Sequence, residues 1–305
     1  MRASVTPRDV DVRNGDVSLA GSLFLPPVKA AATMLMHPGS GPSDRDNDVY
    51  FPPIREHLLE AGVAVCSFDK RGVGGSTGRW QDAGIIEQAD DLLACTATLR
   101  SDPNVPKPVG LFGHSQGGWV VVEAAGRNPP IAFVVASSGP GVTPAEQERY
   151  SHRTYLAKSG VTESEMNEAL EPFDKLVEAL QRGATYADVR RQFDSEQLPS
   201  VYGGRKLVLF PDDEELWSFL LRIFDYDPRA ALERIRVPVL ALFGAADPLV
   251  PVAPSATVYR EAVQPELLSV VVFPGADHRM QTGDPSRLAE GYLETLTSFV
   301  LQAVA

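Results

Sequence analysis

Short apolar runs bounded by turn residues, alternating with helix-length amphipathic segments, constrain this chain more than any other feature. VSLAGSLFLP (17–26) has period-two character. AATMLMHPG (31–39), VAVCSFDKRG (63–72), KPVGLFGHSQG (107–117) and IAFVVASSGP (131–140) are apolar runs that end in loops. Runs of this kind are what strands buried on both faces look like. Between them lie helix-length segments at 50–61, 84–101 and 116–127. In the second, Ile85, Ile86, Ala89, Leu92, Leu93 and Leu99 recur at helical spacing, with Thr96 filling a gap in the stripe. Strand and helix in alternation imply βαβ units, hence an α/β fold with a mostly parallel central sheet and helices on both faces.

The alternation stops near residue 141 and resumes near 237. VPVLALFGAADP (237–248) and LLSVVVFPGADH (267–278) read as further buried strands, accompanied by helical segments 253–263 and 286–303. The stretch between has another texture. Thr162-Glu163-Ser164-Glu165 reads as a capping box ahead of Met166, Ala169, Leu170, Phe173, Leu176, Val177 and Leu180 at helical spacing. Gly183 stops that helix, Thr185 caps another, and a third runs through Leu216, Trp217, Phe219, Leu220, Ile223 and Phe224. Pro172, inside the first of these helices, is a candidate kink. The expected organisation is an α/β core over 1–140 and 231–305, with a helical cap at 141–230 inserted between two adjacent strands.

Composition narrows the function classes. The 305 residues are 44% hydrophobic and 22% charged, ordinary values for a globular protein. Lys plus Arg is 28 against 40 for Asp plus Glu, a net charge of −12 that argues against nucleic acid or an anionic membrane surface as partner. No run approaches the roughly 18 apolar residues of a membrane span. MRASVTPRDVDVRNGD at the N-terminus has no apolar signal-like region, so a cytoplasmic location is expected. Cys66 and Cys95 cannot make a disulfide framework or a multi-Cys zinc site, and both read as small buried hydrophobes. Met34 and Met36 read as core.

Gly113-His114-Ser115-Gln116-Gly117 fits G-x-S-x-G. The bare pattern is common by chance, but here it joins the end of a strand to the start of a helix, the context of a nucleophile elbow. A serine hydroxyl needs a base to take its proton, and the base needs an orienting acid. The five histidines are His37, His57, His114, His152 and His278. His114 lies inside the elbow, His57 on an amphipathic helix, His152 in the insertion, and His37 at a strand end. His278, in PGADHRM after the last buried strand, is placed to reach over the sheet edge. For the acid, Asp247 in FGAADPLVP follows the preceding strand in a turn stiffened by Pro248 and Pro251. Asp277 is too close in sequence to meet His278 Nδ1 while Nε2 faces the serine, and Asp225 and Asp227 read as helix caps or terminators. A tetrahedral intermediate needs two N–H donors. The Gln116 backbone is the first, and the glycine-bearing loop 37–42 supplies the second, from Ser40 or, failing that, Gly39. Asp44, Arg45, Asp46 and Asp48 read as a salt-bridged loop anchor, with Arg45 gripping a substrate carboxylate as the alternative.

GHSQGG around Ser115, HPGSGPSDRD (37–46), FDKRGVGGSTG (68–78), FGAADPLVP (243–251) and PGADH (274–278) together resemble the α/β-hydrolase superfamily, within it the bacterial serine esterase and serine aminopeptidase-like group. The resemblance spans 10–140 and 230–304. It implies Ser115 as nucleophile, His278 as base, Asp247 as orienting acid and the insertion as a cap. It also implies that Asp69, Arg71, Gly72, Gly74 and Ser76 form a loop supporting the active-site floor. The insertion resembles nothing further. Its aromatics, Tyr150, Tyr155, Tyr186, Tyr202 and Tyr226 among them, favour an apolar pocket and a substrate with a hydrophobic acyl or aromatic part. A serine at the elbow argues against dehalogenase and epoxide hydrolase chemistry, which needs a carboxylate there. The expected function is hydrolysis of a small-molecule carboxylic ester, with no cofactor, no metal, no nucleic acid and no membrane partner. A homodimer is left open. Peptidase, thioesterase and biosynthetic acyl-transfer or cyclisation chemistry would use the same residues, and a non-catalytic receptor on this fold is opposed by the intact set.

Overall fold

The buried runs pair into one sheet. In this computed structural model, which describes residues 6–195 and 213–305, the strands are β1 (Arg8–Asn14), β2 (Val17–Phe24), β3 (Ala32–His37), β4 (Val63–Phe68), β5 (Val109–His114), β6 (Val134–Ser137), β7 (Val239–Gly244) and β8 (Leu268–Phe273). Their order is β1-β2-β4-β3-β5-β6-β7-β8. β2 pairs antiparallel with β1 and β4, and every other pairing is parallel, as expected for a mostly parallel sheet. Every residue of β3, β4, β5 and β7 is buried, which is why those segments read as unbroken apolar runs. β1 was not anticipated. It lies at the sheet edge, buries only Val10 and Val12 between exposed Asp9, Asp11 and Arg13, and turns into β2 through Gly15 at φ +59°.

The helices cover both faces. α1 (Phe51–Glu60), α2 (Ile85–Ser101) and α3 (Gln116–Gly126) follow β3, β4 and β5. α4 (Pro144–Lys158), α5 (Glu163–Gln181), α6 (Tyr186–Ser195), α7 (Glu214–Ile223) and the short α8 (Arg229–Leu232) stand between β6 and β7, which are adjacent in the sheet. α9 (Val252–Ala262) and α10 (Tyr292–Ala303) complete the chain. One core joins α2, α3 and α9 to the sheet through Ile85, Trp119 and Tyr259. The opposite core joins α1 and α10 through Phe51, Ile54, Leu296 and Val300, and takes Met34 and Met36. Leu35, between the two methionines, points into the first core, the alternation that a strand imposes.

Two local readings change, at α4 and at 286–303. α4 was not foreseen, although Thr143 caps it: its hydroxyl accepts from Glu146 N–H while the Glu146 carboxylate accepts from Thr143 N–H, with Pro144 in the first turn. α5 runs through Pro172 from Glu163 to Gln181. The segment expected to be helical over 286–303 is helical only from Tyr292. Asp284–Leu288 instead forms β10, paired with β9 (Gln281–Thr282), because Gly283 and Gly291 take φ +67° and +78° and interrupt any continuous helix. Tyr202 lies outside the described residues. Among those residues, no helix is long and apolar enough to cross a membrane.

Candidate active site

The strand order reverses between β3 and β5, the switch point where loops leaving the carboxyl ends of neighbouring strands open a crevice. His37, the last residue of β3, is in register with Gly113 of β5, so the loop after β3 and the turn after β5 meet there. Ser115 sits in that turn at φ +55°, ψ −123°. Such a conformation costs a non-glycine residue about 1–3 kcal/mol and persists only where the surroundings enforce it. Two hydrogen bonds do so: Ser115 N–H donates to the Ser137 carbonyl at 3.0 Å, and Gly118 N–H to the Ser115 carbonyl at 2.8 Å. The turn is too tight for side chains beside the serine, since a Cβ on Gly113 would lie 2.0 Å from the Gly117 carbonyl oxygen. α3 starts at Gln116. Its backbone N–H is therefore a first-turn donor with no intrahelical acceptor, at the positive end of the helix dipole.

Asp247 and His278 come together from the loops after β7 and β8. His278 Nδ1 lies 2.8 Å from Asp247 Oδ2, and the Asp247 side chain is fully buried. Oδ1 of Asp247 accepts the N–H groups of Leu249 at 2.8 Å and Val250 at 3.0 Å, which fixes the carboxylate in the Pro248-containing turn. A neutral His278 that donates from Nδ1 keeps Nε2 as a proton acceptor. Asp277 is turned into its own loop, where Oδ1 accepts from Arg279 N–H and Gln281 N–H, both at 2.9 Å. Asp227 Oδ1 accepts from Arg229 N–H at the start of α8.

His114 connects the elbow to the His278 loop. Its Nε2–H donates to the His278 carbonyl at 3.2 Å, its Nδ1 accepts from Asn47 Nδ2 at 2.9 Å, and the two imidazole rings are 5.1 Å apart. Burial pushes the His114 pKa well below its usual value, so the ring is neutral and this tautomer is held. Asn47, at φ +48°, went unnoticed in the sequence. Its Oδ1 accepts the N–H of Gly39 at 3.2 Å. That corrects the second choice for an oxyanion donor, because the Gly39 amide is already committed to Asn47. Ser40 remains exposed and borders a cavity together with Ser115 and Gln116.

This cavity has a volume of about 240 Å³. Apolar side chains of α5 and α7, among them Phe173, Leu220 and Ile223, line one side. The α4 wall contributes Gln147, Glu148 and His152. Burial raises the Glu148 pKa and lowers that of His152, so both side chains are biased toward their neutral forms. His152 meets the edge of the Phe173 ring, and its Nδ1 is buried without a hydrogen-bond partner.

The Serine aminopeptidase, S33 family matches residues 48–285, a span holding the elbow, the acid–imidazole pair and the helices between β6 and β7. The chain belongs to this family. Over 243 residues this S33-family chain is 26% identical to the bifunctional esterase/perhydrolase DCH of Acinetobacter calcoaceticus, covering 79% of this chain and 84% of that one. Over 140 residues it is 31% identical to the polyketide transferase grgF of a Penicillium species, a match spanning 45% of this chain and 46% of the relative. The Pyrococcus furiosus esterase Pf2001 superposes with a TM-score of 0.64 at 19% identity, covering 99% of this chain and 94% of the other, which establishes the shared α/β-hydrolase fold.

In this S33-family chain the loop after β3 is tied down by charge. Arg45 donates from Nε and Nη2 to the two Asp69 oxygens at 3.0 and 2.6 Å, and from Nη1 to Ser22 Oγ at 2.7 Å, which makes it an anchor with its guanidinium already occupied. Asp46 accepts from Arg55 at 2.6 Å, and Asp48 from Arg279 at 2.7 Å. Burial on its own raises the Asp69 pKa, but Arg45 and the N–H groups of Gly75 and Arg45 outweigh it and hold the carboxyl below its usual range. Asp69→Ala strands Arg45 and removes these bonds, with an expected loss of about 3 kcal/mol, read from the shift of the urea unfolding midpoint. Arg71 makes a two-pronged contact with Asp91, at 2.6 and 2.8 Å. Cys66 and Cys95 are both free and buried, and burial pushes the Cys66 thiol up to about 12.

A buried polar cluster joins the loop after β3 to the first residue of α3. Lys70 Nζ donates to the Gly39 carbonyl and, at 3.0 Å, to Gln116 Oε1. Gln88 Nε2 donates to the Ala83 carbonyl at 3.1 Å and to Gln116 Oε1 at 3.4 Å, while Gln88 Oε1 accepts from His37 Nε2 at 3.2 Å. Burial, assisted by Lys70, pushes His37 down to about 3, and burial pushes Lys70 down to about 7.

Proposed function

We propose that this chain hydrolyses carboxylic esters through an acyl-enzyme, with Ser115 as nucleophile, His278 as general base and Asp247 as the acid that orients it. The observation that carries this reading is the 2.8 Å contact between His278 Nδ1 and the buried Asp247 carboxylate, in loops joined to the strained Ser115 turn through His114. With Nδ1–H given to Asp247, His278 Nε2 takes the proton of Ser115 Oγ as that oxygen bonds to the ester carbonyl carbon. The carbonyl electron pair moves onto oxygen, where the N–H groups of Gln116 and Ser40 receive it. Collapse breaks the bond to the alcohol oxygen, which leaves with the proton from Nε2. Water then gives a proton to Nε2 and attacks the acyl carbon. The second collapse returns the electron pair and proton to Ser115 and releases the acid.

One feature of the cavity favours an ester with a hydrophobic part. The side of the cavity formed by α5 and α7 is apolar, and on this reading the helices between β6 and β7 act as a cap. The esterase name of a relative matched over most of both chains favours an ester as the bond cleaved.

The test is hydrolysis of p-nitrophenyl esters of increasing acyl length beside alanine p-nitroanilide. The expected result is faster cleavage of the esters, with kcat/KM rising up to about fourfold for each methylene buried in the cavity and falling once the acyl chain outgrows it. Ile223→Trp should fill part of the cavity and move the optimum to a shorter chain. Folded protein inert toward every ester, or faster on the anilide, overturns the reading.

A further inference from the structure

We propose that Lys70 is a positioning residue for the oxyanion hole, its Nζ holding the Gly39 carbonyl and the Gln116 side chain so that the backbone N–H groups of Ser40 and Gln116 face the substrate carbonyl oxygen. This rests on the reading of Ser115, Gln116 and Ser40 given above. The geometry of a trans peptide supplies the first step. The carbonyl of Gly39 and the N–H of Ser40 belong to one planar unit and point in opposite directions. Lys70 bonds to that carbonyl from within the protein, so the Ser40 N–H is turned outward, toward the cavity that Ser40 borders. The same nitrogen donates to Gln116 Oε1 at 3.0 Å, at the residue that opens α3 and carries the other donor.

The cluster is consistent in every direction of donation. His37 donates to Gln88, Gln88 donates to Gln116 and Ala83, and Lys70 donates to Gln116 and Gly39. Lys70 is 7% exposed, and its two acceptors are neutral oxygens. Burying a lysine against neutral acceptors is expensive, and stability alone would favour an apolar side chain there. What the lysine provides is direction and polarisation. A donor on the Gly39 carbonyl draws electron density along the peptide and strengthens the Ser40 N–H as a donor. Lys70 is itself aimed by its neighbour Asp69, clamped between Arg45 and Gly75 N–H just past the end of β4.

The experiment compares wild type, Lys70→Met and Ser115→Ala on the best p-nitrophenyl ester, with active sites titrated so that rates refer to folded enzyme. For Lys70→Met the expected kcat falls about tenfold to a hundredfold, less than the roughly 10²–10³ seen when a donor is removed outright. KM should stay within about twofold. Affinity for an alkyl trifluoromethyl ketone, which forms a tetrahedral oxyanion on the serine, should drop by the same factor as kcat/KM, while affinity for the product acid is unchanged. A merely structural lysine would lower the titratable fraction and leave kcat and ketone affinity per active site intact, and that result overturns the proposal. If Lys70→Met does not fold, Lys70→Gln, which keeps a donor on a shorter stem, is measured by the same criteria and should lose less. Ser115→Ala separates the two levels. An inactive Ser115→Ala beside a fully active Lys70→Met sinks the role of Lys70 alone, whereas an active Ser115→Ala sinks the reading of the site and this proposal with it.

Discussion

Ser115→Ala should lower kcat for ester hydrolysis by a factor on the order of 10⁶, with the residual rate coming from the binding groups that remain. The change removes only Oγ, so the protein should keep its fold and its affinity for product. The backbone gives this prediction a second arm. Ser115 sits at φ +55°, where a side chain is strained and glycine is not. Ser115→Gly should therefore be as inactive as the alanine variant while melting higher, by an amount equivalent to about 1 kcal/mol or more. A glycine variant that is both inactive and less stable would contradict the account of the strained turn. An alanine variant retaining a substantial part of the wild-type kcat would contradict the assignment of the nucleophile.

Asp247→Asn has the second largest expected effect, and the geometry says why. The two backbone N–H groups of Leu249 and Val250 hold one oxygen of this side chain. In the asparagine variant the amide oxygen stays on those donors, which turns the NH₂ group toward His278 Nδ1. Nδ1 then has to accept, the ring proton moves to Nε2, and the base loses the lone pair it needs. The expected fall in kcat is about 10⁴-fold with little change in KM or stability. Activity close to wild type would mean that another group orients the imidazole. Asp277→Asn serves as the contrast. Its carboxylate receives Arg279 N–H and Gln281 N–H, so its loss should soften the loop and cost much less in kcat.

The parts of this molecule that were legible in the sequence are those fixed by a short-range rule. A strand buried on both faces must be an apolar run, and β3 to β7 stood out for that reason. A serine in a strand-to-helix turn with no room for neighbouring Cβ atoms must be flanked by glycines, and the G-x-S-x-G segment stood out likewise. Asp247 and His278 could be chosen because each follows an apolar run into a loop at the same edge of the sheet, although β8, an edge strand, buries only Phe273. What escaped notice depends on contacts far apart in the chain. Asn47 looks like one polar residue among several in SDRDND, and only the fold brings its amide between Gly39 and His114. That contact commits the Gly39 amide, whereas Ser40 borders the cavity. Lys70 sits in the loop that the resemblance makes a support of the active-site floor, but only the fold shows it buried with its Nζ on the Gln116 side chain. β1 is half-polar because one of its faces meets water, and its two buried valines were too few to be conspicuous. Thr143 and Glu146 carry the cap of α4 in the sequence, but α4 buries only Pro144 and Leu156, so no apolar stripe marks the helix that follows.

The central claim is that Ser115 is the group that becomes acylated, and covalent trapping tests it most directly. The protein would be inactivated with diethyl p-nitrophenyl phosphate, digested, and the modified peptide identified by mass spectrometry. The expected result is one diethylphosphoryl group per chain on Ser115, with activity lost in proportion to its formation and no label on Ser115→Ala. A label on another residue that tracks the loss of activity, or full inactivation with Ser115 unmodified, would contradict the account.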